Sequence, residues 1–172
     1  MDLNTYQQVA IATADPQAFD LEYLIPMIVG ETGELFGQVA KAHWHQWEPS
    51  VLQDELVSEY GDIAWGTGVL LHVEGVHEVS PQQQHSFPNT WGMPLTGMGE
   101  LLHKAHNLHT FYGEAPDLSH HIKAEATRLW LALEARSVEV TGMEFDRVLE
   151  RNIDKLASRA RRGVLKGQGD HR

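Results

Sequence analysis

Two short acidic motifs carry the densest chemistry in this sequence. Glu31-x-x-Glu34 sits within GETGEL, and Glu59-x-x-Asp62 sits within SEYGDIAW. Residues three apart on a helix share a face, so each motif presents two carboxylates side by side. Four such groups brought together repel one another, and burying them unpaired is costly. Hard divalent cations relieve that repulsion, because Mg²⁺ and Mn²⁺ prefer oxygen ligands. One such motif alone reads as a solvated acidic face. Two on neighbouring helices read as a metal centre. The chain has no cysteine, which excludes thiolate metal sites and a disulfide framework.

The elements that must position these groups are helical. Alternating strand patterns bounded by tight turns are scarce, whereas helical spacing recurs. The spacing predicts a first helix from about Leu3 to Ala14, closed by Asp15-Pro16. A second runs from near Asp20 to about Trp47, with its regular part starting at Pro26. Pro49 suits the first turn of a third helix, over roughly 50–73. A turn near Pro49 would set the two helices antiparallel and join the four carboxylates. Leu35, Ile63 and Trp65 supply an apolar inner face, and Gly33 and Gly61 are expected to let helices approach closely.

A polar stretch at 80–94 reads as a loop, and a fourth helix is predicted over 97–112. A fifth, capped by Asp117 or Ser119, lasts to about Val140. A sixth is capped by Thr141, with Glu144 closing a capping box, and ends near Gly163. The expected fold is therefore all-α, a four-helix-bundle-like core of about six helices in a single domain. Its parts are a metal-binding hairpin at 1–74, a second hairpin plus C-terminal helix at 95–163, and a tail at 164–172. The segments 33–62 and 99–128 resemble each other weakly: Gly33-Glu34-Leu35 returns as Gly99-Glu100-Leu101, and Glu59 as Glu125. A degenerate tandem helical hairpin is the reading. In such a repeat Gly97 replaces Glu31 and Arg128 replaces Asp62, so the second half cannot hold the same ion. Arg128 is then expected to pair with Glu100 or Glu125 as a structural charge.

The formal net charge is −11, which argues against binding long nucleic acids. Bound cations can still recruit a nucleotide. Eight of the 13 Lys and Arg residues fall at or after position 147, so the C-terminal end is expected to meet an anion. The N-terminus lacks a signal-peptide pattern and no apolar run could span a bilayer, so a cytoplasmic protein with no membrane partner is expected.

GETGEL followed by EYGDIAW resembles the ExxE…ExxD signature of the all-α nucleoside triphosphate pyrophosphohydrolases, the superfamily of MazG and the dimeric dUTPases. Asn152-Ile153-Asp154-Lys155-Leu156, with Arg159 beyond it, is similar to the closing segment of small MazG-like proteins. The opening LNTYQQVAIATA is similar to their first helix. The likeness covers about 1–73 and 143–172; the residues between are a departure from the small members. It implies Mg²⁺-dependent hydrolysis of a nucleoside triphosphate to the monophosphate and pyrophosphate, with Mn²⁺ as a substitute, in nucleotide-pool house-cleaning. Glu31, Glu34, Glu59 and Asp62 match the metal ligands. Asn152, Lys155 and Arg159 match residues that serve nucleotide and phosphate binding, and Lys41 joins them as a substrate-binding candidate.

Glu34 or the nearby Glu55 is the candidate general base for the attacking water. A homodimer is expected, or a pseudo-dimer within one chain. The base pocket is not legible; dUTP, dCTP and damaged nucleotides are the candidates. The competing class is a non-catalytic nucleotide-binding or structural helical protein with a vestigial site. Other chemistry is weaker. His103, His106 and His109 have the spacing of a zinc site without a carboxylate arranged beside them. Trp44, Trp47, Trp65 and Trp130 read as core, and Trp91 as the one candidate base platform.

Overall fold

The structure is a computed structural model, and it describes residues 1–80 and 118–162. The loop expected at 80–94, the helix expected over 97–112, the Asp117 cap, Trp91, the three spaced histidines, Gly97, Glu100 and the 164–172 tail lie outside or almost wholly outside these residues. The described residues form five α-helices and one 3-10 turn, with no strand among them.

Asp2 caps α1, Leu3–Ala12, by accepting from the Thr5 amide at 2.9 Å. Asp15-Pro16 then opens the 3-10 turn Pro16–Phe19. The Asp20 carboxylate accepts from Glu22 N and caps α2, Leu21–His45. The helix does not wait for Pro26 but runs through it. Pro26 is exposed in the second turn, and the Glu22 carbonyl it leaves unbonded belongs to an exposed residue that water can serve. Gln46 adopts the left-handed conformation (φ 51°) and ends α2, and Pro49 starts α3, Pro49–Val73.

The next described helix, α4, spans Ser119–Thr141. Leu118 precedes it without a side-chain cap, so the Ser119 cap is not formed. Ser119 is the first helical residue, and its hydroxyl donates to Glu74 Oε2 at 2.5 Å. Gly142, at φ 69°, closes α4. The final helix, α5, spans Phe145–Arg161. The predicted Thr141 capping box is corrected here: Glu144 occupies the cap position and Thr141 belongs to α4. The Thr141 hydroxyl bonds back to Ser137 O at 2.7 Å and accepts from Met143 N at 3.1 Å, so it serves the turn instead.

The α3 helix sits at the centre, packed against α1, α2, α4 and α5. From Leu56 to Leu71 nearly every face of it is buried. A helix apolar all round is stable only when enclosed. Leu24, Ile28 and Leu35 reach it from α2, Leu129 and Leu133 from α4, and Val148 and Leu149 from α5. Tyr6 on α1 lies 5.7 Å from Trp130, which meets Phe145 edge-on at 5.2 Å. No described helix is long and apolar enough to cross a membrane.

One expectation about side chains fails, and another holds in a local form. Trp44 is 82% exposed rather than part of the core. Arg128 pairs with Glu125, but as neighbours one turn apart on α4, with Arg128 37% exposed. The pair is half-buried, with the Glu125 side chain 18% exposed.

Candidate metal centre

The α2–α3 hairpin brings three of the four motif carboxylates together. One oxygen each from Glu31, Glu34 and Glu59 lies within 4.8 Å of the other two. Their environments differ. Glu34 is exposed, Glu31 half-buried, and Glu59 only 1% exposed. Gln38 Nε2 donates to Glu59 Oε1 at 2.7 Å, which satisfies one of its buried oxygens. Gln38 Oε1 in turn accepts from Lys41 Nζ at 3.4 Å, so this amide links Lys41 to the cluster.

Crowding shows in the protonation of Glu31. Burial comes first, followed by the negative charges of Asp62, Glu34 and Glu59, and together they raise it from 4.5 to about 7. The donors are all oxygen, they converge, and their charges repel one another. Such a set fits a hard divalent cation.

Asp62 stands apart from the triad, on the α5 side of the hairpin. Asn152 Nδ2 donates to its Oδ1 at 3.0 Å, and Lys155 Nζ donates to its Oδ2. Lys155 also donates to Ser58 Oγ at 2.9 Å. Burial raises the Asp62 pKa, and the Lys155 charge, aided by Arg159, pulls it back. Asp62 therefore remains electrically part of the cluster, as its effect on Glu31 shows.

Asn152 is 3% exposed, and its amide is committed to Asp62 and to Tyr6, whose hydroxyl donates to Oδ1 at 2.9 Å. It orders the site rather than facing a nucleotide directly. Glu55 lies one turn before Glu59, half-buried and outside the triad. Lys155 and Arg159 share a face of α5, and both act on Asp62.

Two hollows flank the carboxylates. A small cleft of about 100 Å³ lies between α3 and α5, lined by Asp54, Val57, Ser58, Arg151, Asn152 and Lys155. An open groove of about 400 Å³ runs along α2 past Tyr23, Pro26, Met27 and Gly30 to Glu31 and Glu34.

The glycine expectation holds on one side only. A Cβ on Gly61 would stand 3.0 Å from Asn152 Cβ, so this glycine sets the approach of α5. Gly33 is exposed, and a Cβ there would meet nothing within 4 Å. The sequence reading also missed Gln38, Ser58 and Tyr6. Gln38 had a signal, because 31, 34 and 38 follow one face of a helix. Ser58 is one turn before Asp62 and was equally findable, whereas Tyr6 looks like any core aromatic.

Comparisons with family models, with curated proteins and with solved structures find no match for this chain.

Proposed function

We propose that this protein hydrolyses a (deoxy)nucleoside triphosphate to the monophosphate and pyrophosphate in a Mg²⁺-dependent reaction. The observation that carries the reading is the converging Glu31–Glu34–Glu59 triad bordered by the Lys155–Asp62 pair. An anion-repelling cluster beside fixed cations suits a polyphosphate bridged by metal. The triad, with Asp62, would hold the ion. When bound, Mg²⁺ supplies charge neutralisation and makes water a better nucleophile.

The chain's own groups have separable tasks. Lys155 and Arg159 stand where they can neutralise phosphate charge. Glu34, exposed, or Glu55, half-buried, would accept the proton of the attacking water. That water forms the new bond to the α-phosphorus. The bond from phosphorus to the bridging oxygen breaks, and pyrophosphate leaves with the electron pair. The groove past Tyr23 and Met27 offers an apolar bed for the nucleoside.

The partner reading is a second copy of the chain, with a pseudo-dimer within one chain as the alternative. Val29, Phe36 and Val39 are exposed along α2, with Phe36 at 58%. Sedimentation of wild type and Phe36→Lys distinguishes the two, because only a true dimer dissociates. Nucleotide pools make the cytoplasm the proposed location.

Incubation with a nucleotide panel and Mg²⁺, followed by pyrophosphate detection, tests the activity. Release above background that vanishes with chelator is the expected result. A vestigial, non-catalytic site is the second reading, favoured by the fact that Lys155 already occupies Asp62. It predicts nucleotide binding, or mere folding, with no pyrophosphate released.

A further inference from the structure

The network on Asp62 begins at a buried hydroxyl that the proposed chemistry does not use. Tyr6 lies on α1 and is fully enclosed. Its hydroxyl donates to Asn152 Oδ1, and Asn152 Nδ2 donates to Asp62 Oδ1. We propose that Tyr6 is a positioning residue for the metal centre, holding the Asp62 carboxylate in its ligating orientation through the Asn152 amide. The inference rests on the metal reading above.

A carboxylate offers about four lone-pair positions. Asn152 takes one on Oδ1 and Lys155 takes one on Oδ2. Donors on both oxygens fix rotation of the carboxylate, so the remaining lone pairs have set directions. The amide must itself be held. An ionised Asp62 accepts only, so Asn152 must turn its nitrogen toward Asp62 and its oxygen toward Tyr6. Tyr6 has little room to move: its ring packs on Trp130 at 5.7 Å, and a Cβ at Gly68 would stand 3.2 Å from it. Burial and the Asp62 charge both raise the Tyr6 pKa, so the hydroxyl keeps its proton and remains a donor. Without that hydroxyl the buried Asn152 oxygen has lost its donor, and the amide rotates to find another. Groups that orient metal ligands from behind typically change affinity by about 10–100-fold.

The test is Mn²⁺ titration of the full-length protein, with free Mn²⁺ followed by electron paramagnetic resonance. Tyr6→Phe should weaken binding about tenfold. Tyr60→Phe is the control, since its buried hydroxyl donates to Leu133 O at 2.9 Å, away from Asp62. It should lose thermal stability without losing Mn²⁺. In an Asp62→Asn background Tyr6→Phe should have no further effect on affinity, which a purely structural role does not predict. Should Tyr6→Phe fail to fold, Gly68→Ala displaces the same ring and should weaken binding in the same direction. Unchanged affinity in these variants, equal loss in Tyr60→Phe, or full loss persisting in the Asp62→Asn background overturns the positioning role. A wild-type chain that binds no Mn²⁺ overturns the metal reading itself, and this role with it.

Discussion

The two acidic motifs have the same spacing but opposite surroundings. On α2, Glu31 and Glu34 border an open groove, and Gly33 between them faces empty space. On α3, Glu59 is sealed under Gln38, and Asp62 is held on both oxygens by α5, with Gly61 pressed against Asn152. The first motif opens to solvent at Glu34, with Glu31 half-buried behind it. The other is fixed by donors that folding places around it. A shared spacing specifies a common helix face; it does not specify what stands opposite that face. The open side suits entry of a ligand, and the closed side suits preorganisation.

The largest effect should come from the closed side. Glu59→Gln should lower pyrophosphate release by about 10³-fold while the protein stays folded, because removing one preorganised electrostatic group costs about 10²–10³. Normal turnover in that variant removes the triad from the mechanism. Lys155→Met should reduce turnover by about 10²-fold and raise the Asp62 pKa further, which titration of the carboxylate by NMR would read.

Stability sharpens the same contrast. Gly61→Ala crowds Asn152 and should destabilise by about 1–3 kcal/mol. Gly33→Ala, with open space around it, should stabilise by up to about 1 kcal/mol through helix propensity. Denaturant melts of the two variants should therefore move in opposite directions. Movement in the same direction breaks the comparison.

Protonation gives a further, smaller handle. Glu31 titrates near 7 in the folded chain against an ordinary 4.5, so the folded state binds the extra proton between those values. Its contribution is present below about 4.5 and lost as pH rises through about 7. Metal-free thermal stability should fall across that window, and added Mg²⁺ should flatten the decline. The smallest effect is expected at Arg128→Ala. Breaking its pair with Glu125 should lower stability, by about 0.2–1 kcal/mol for that pair, with turnover retained.

Much of this arrangement was legible before any coordinates. Helix boundaries followed Asp15-Pro16 and Pro49, and the hairpin between α2 and α3 did place Glu31, Glu34 and Glu59 together. Pro26 misled because proline rules describe an average site, and here the proline is exposed in the second turn of the helix. Thr141 misled because a hydroxyl able to cap the next helix can equally bond to its own. Trp44 shows that residue type alone does not decide burial. The Tyr6–Asn152–Asp62 chain was not readable, since 146 positions separate Tyr6 from Asn152 and only packing joins them.

The central place of α3 has a consequence for how the chain is made. Its covering helices lie on both sides of it in the sequence. At ribosomal speeds of about 5–20 residues per second, α5 is completed roughly 5–20 s after α3. Through that interval the apolar residues that α3 buries against α4 and α5 have neither helix to cover them. The nascent chain thus presents a sticky surface for seconds, which later helices remove. Holdase chaperones should engage it in that window, and a chain halted near residue 80 should aggregate rather than fold.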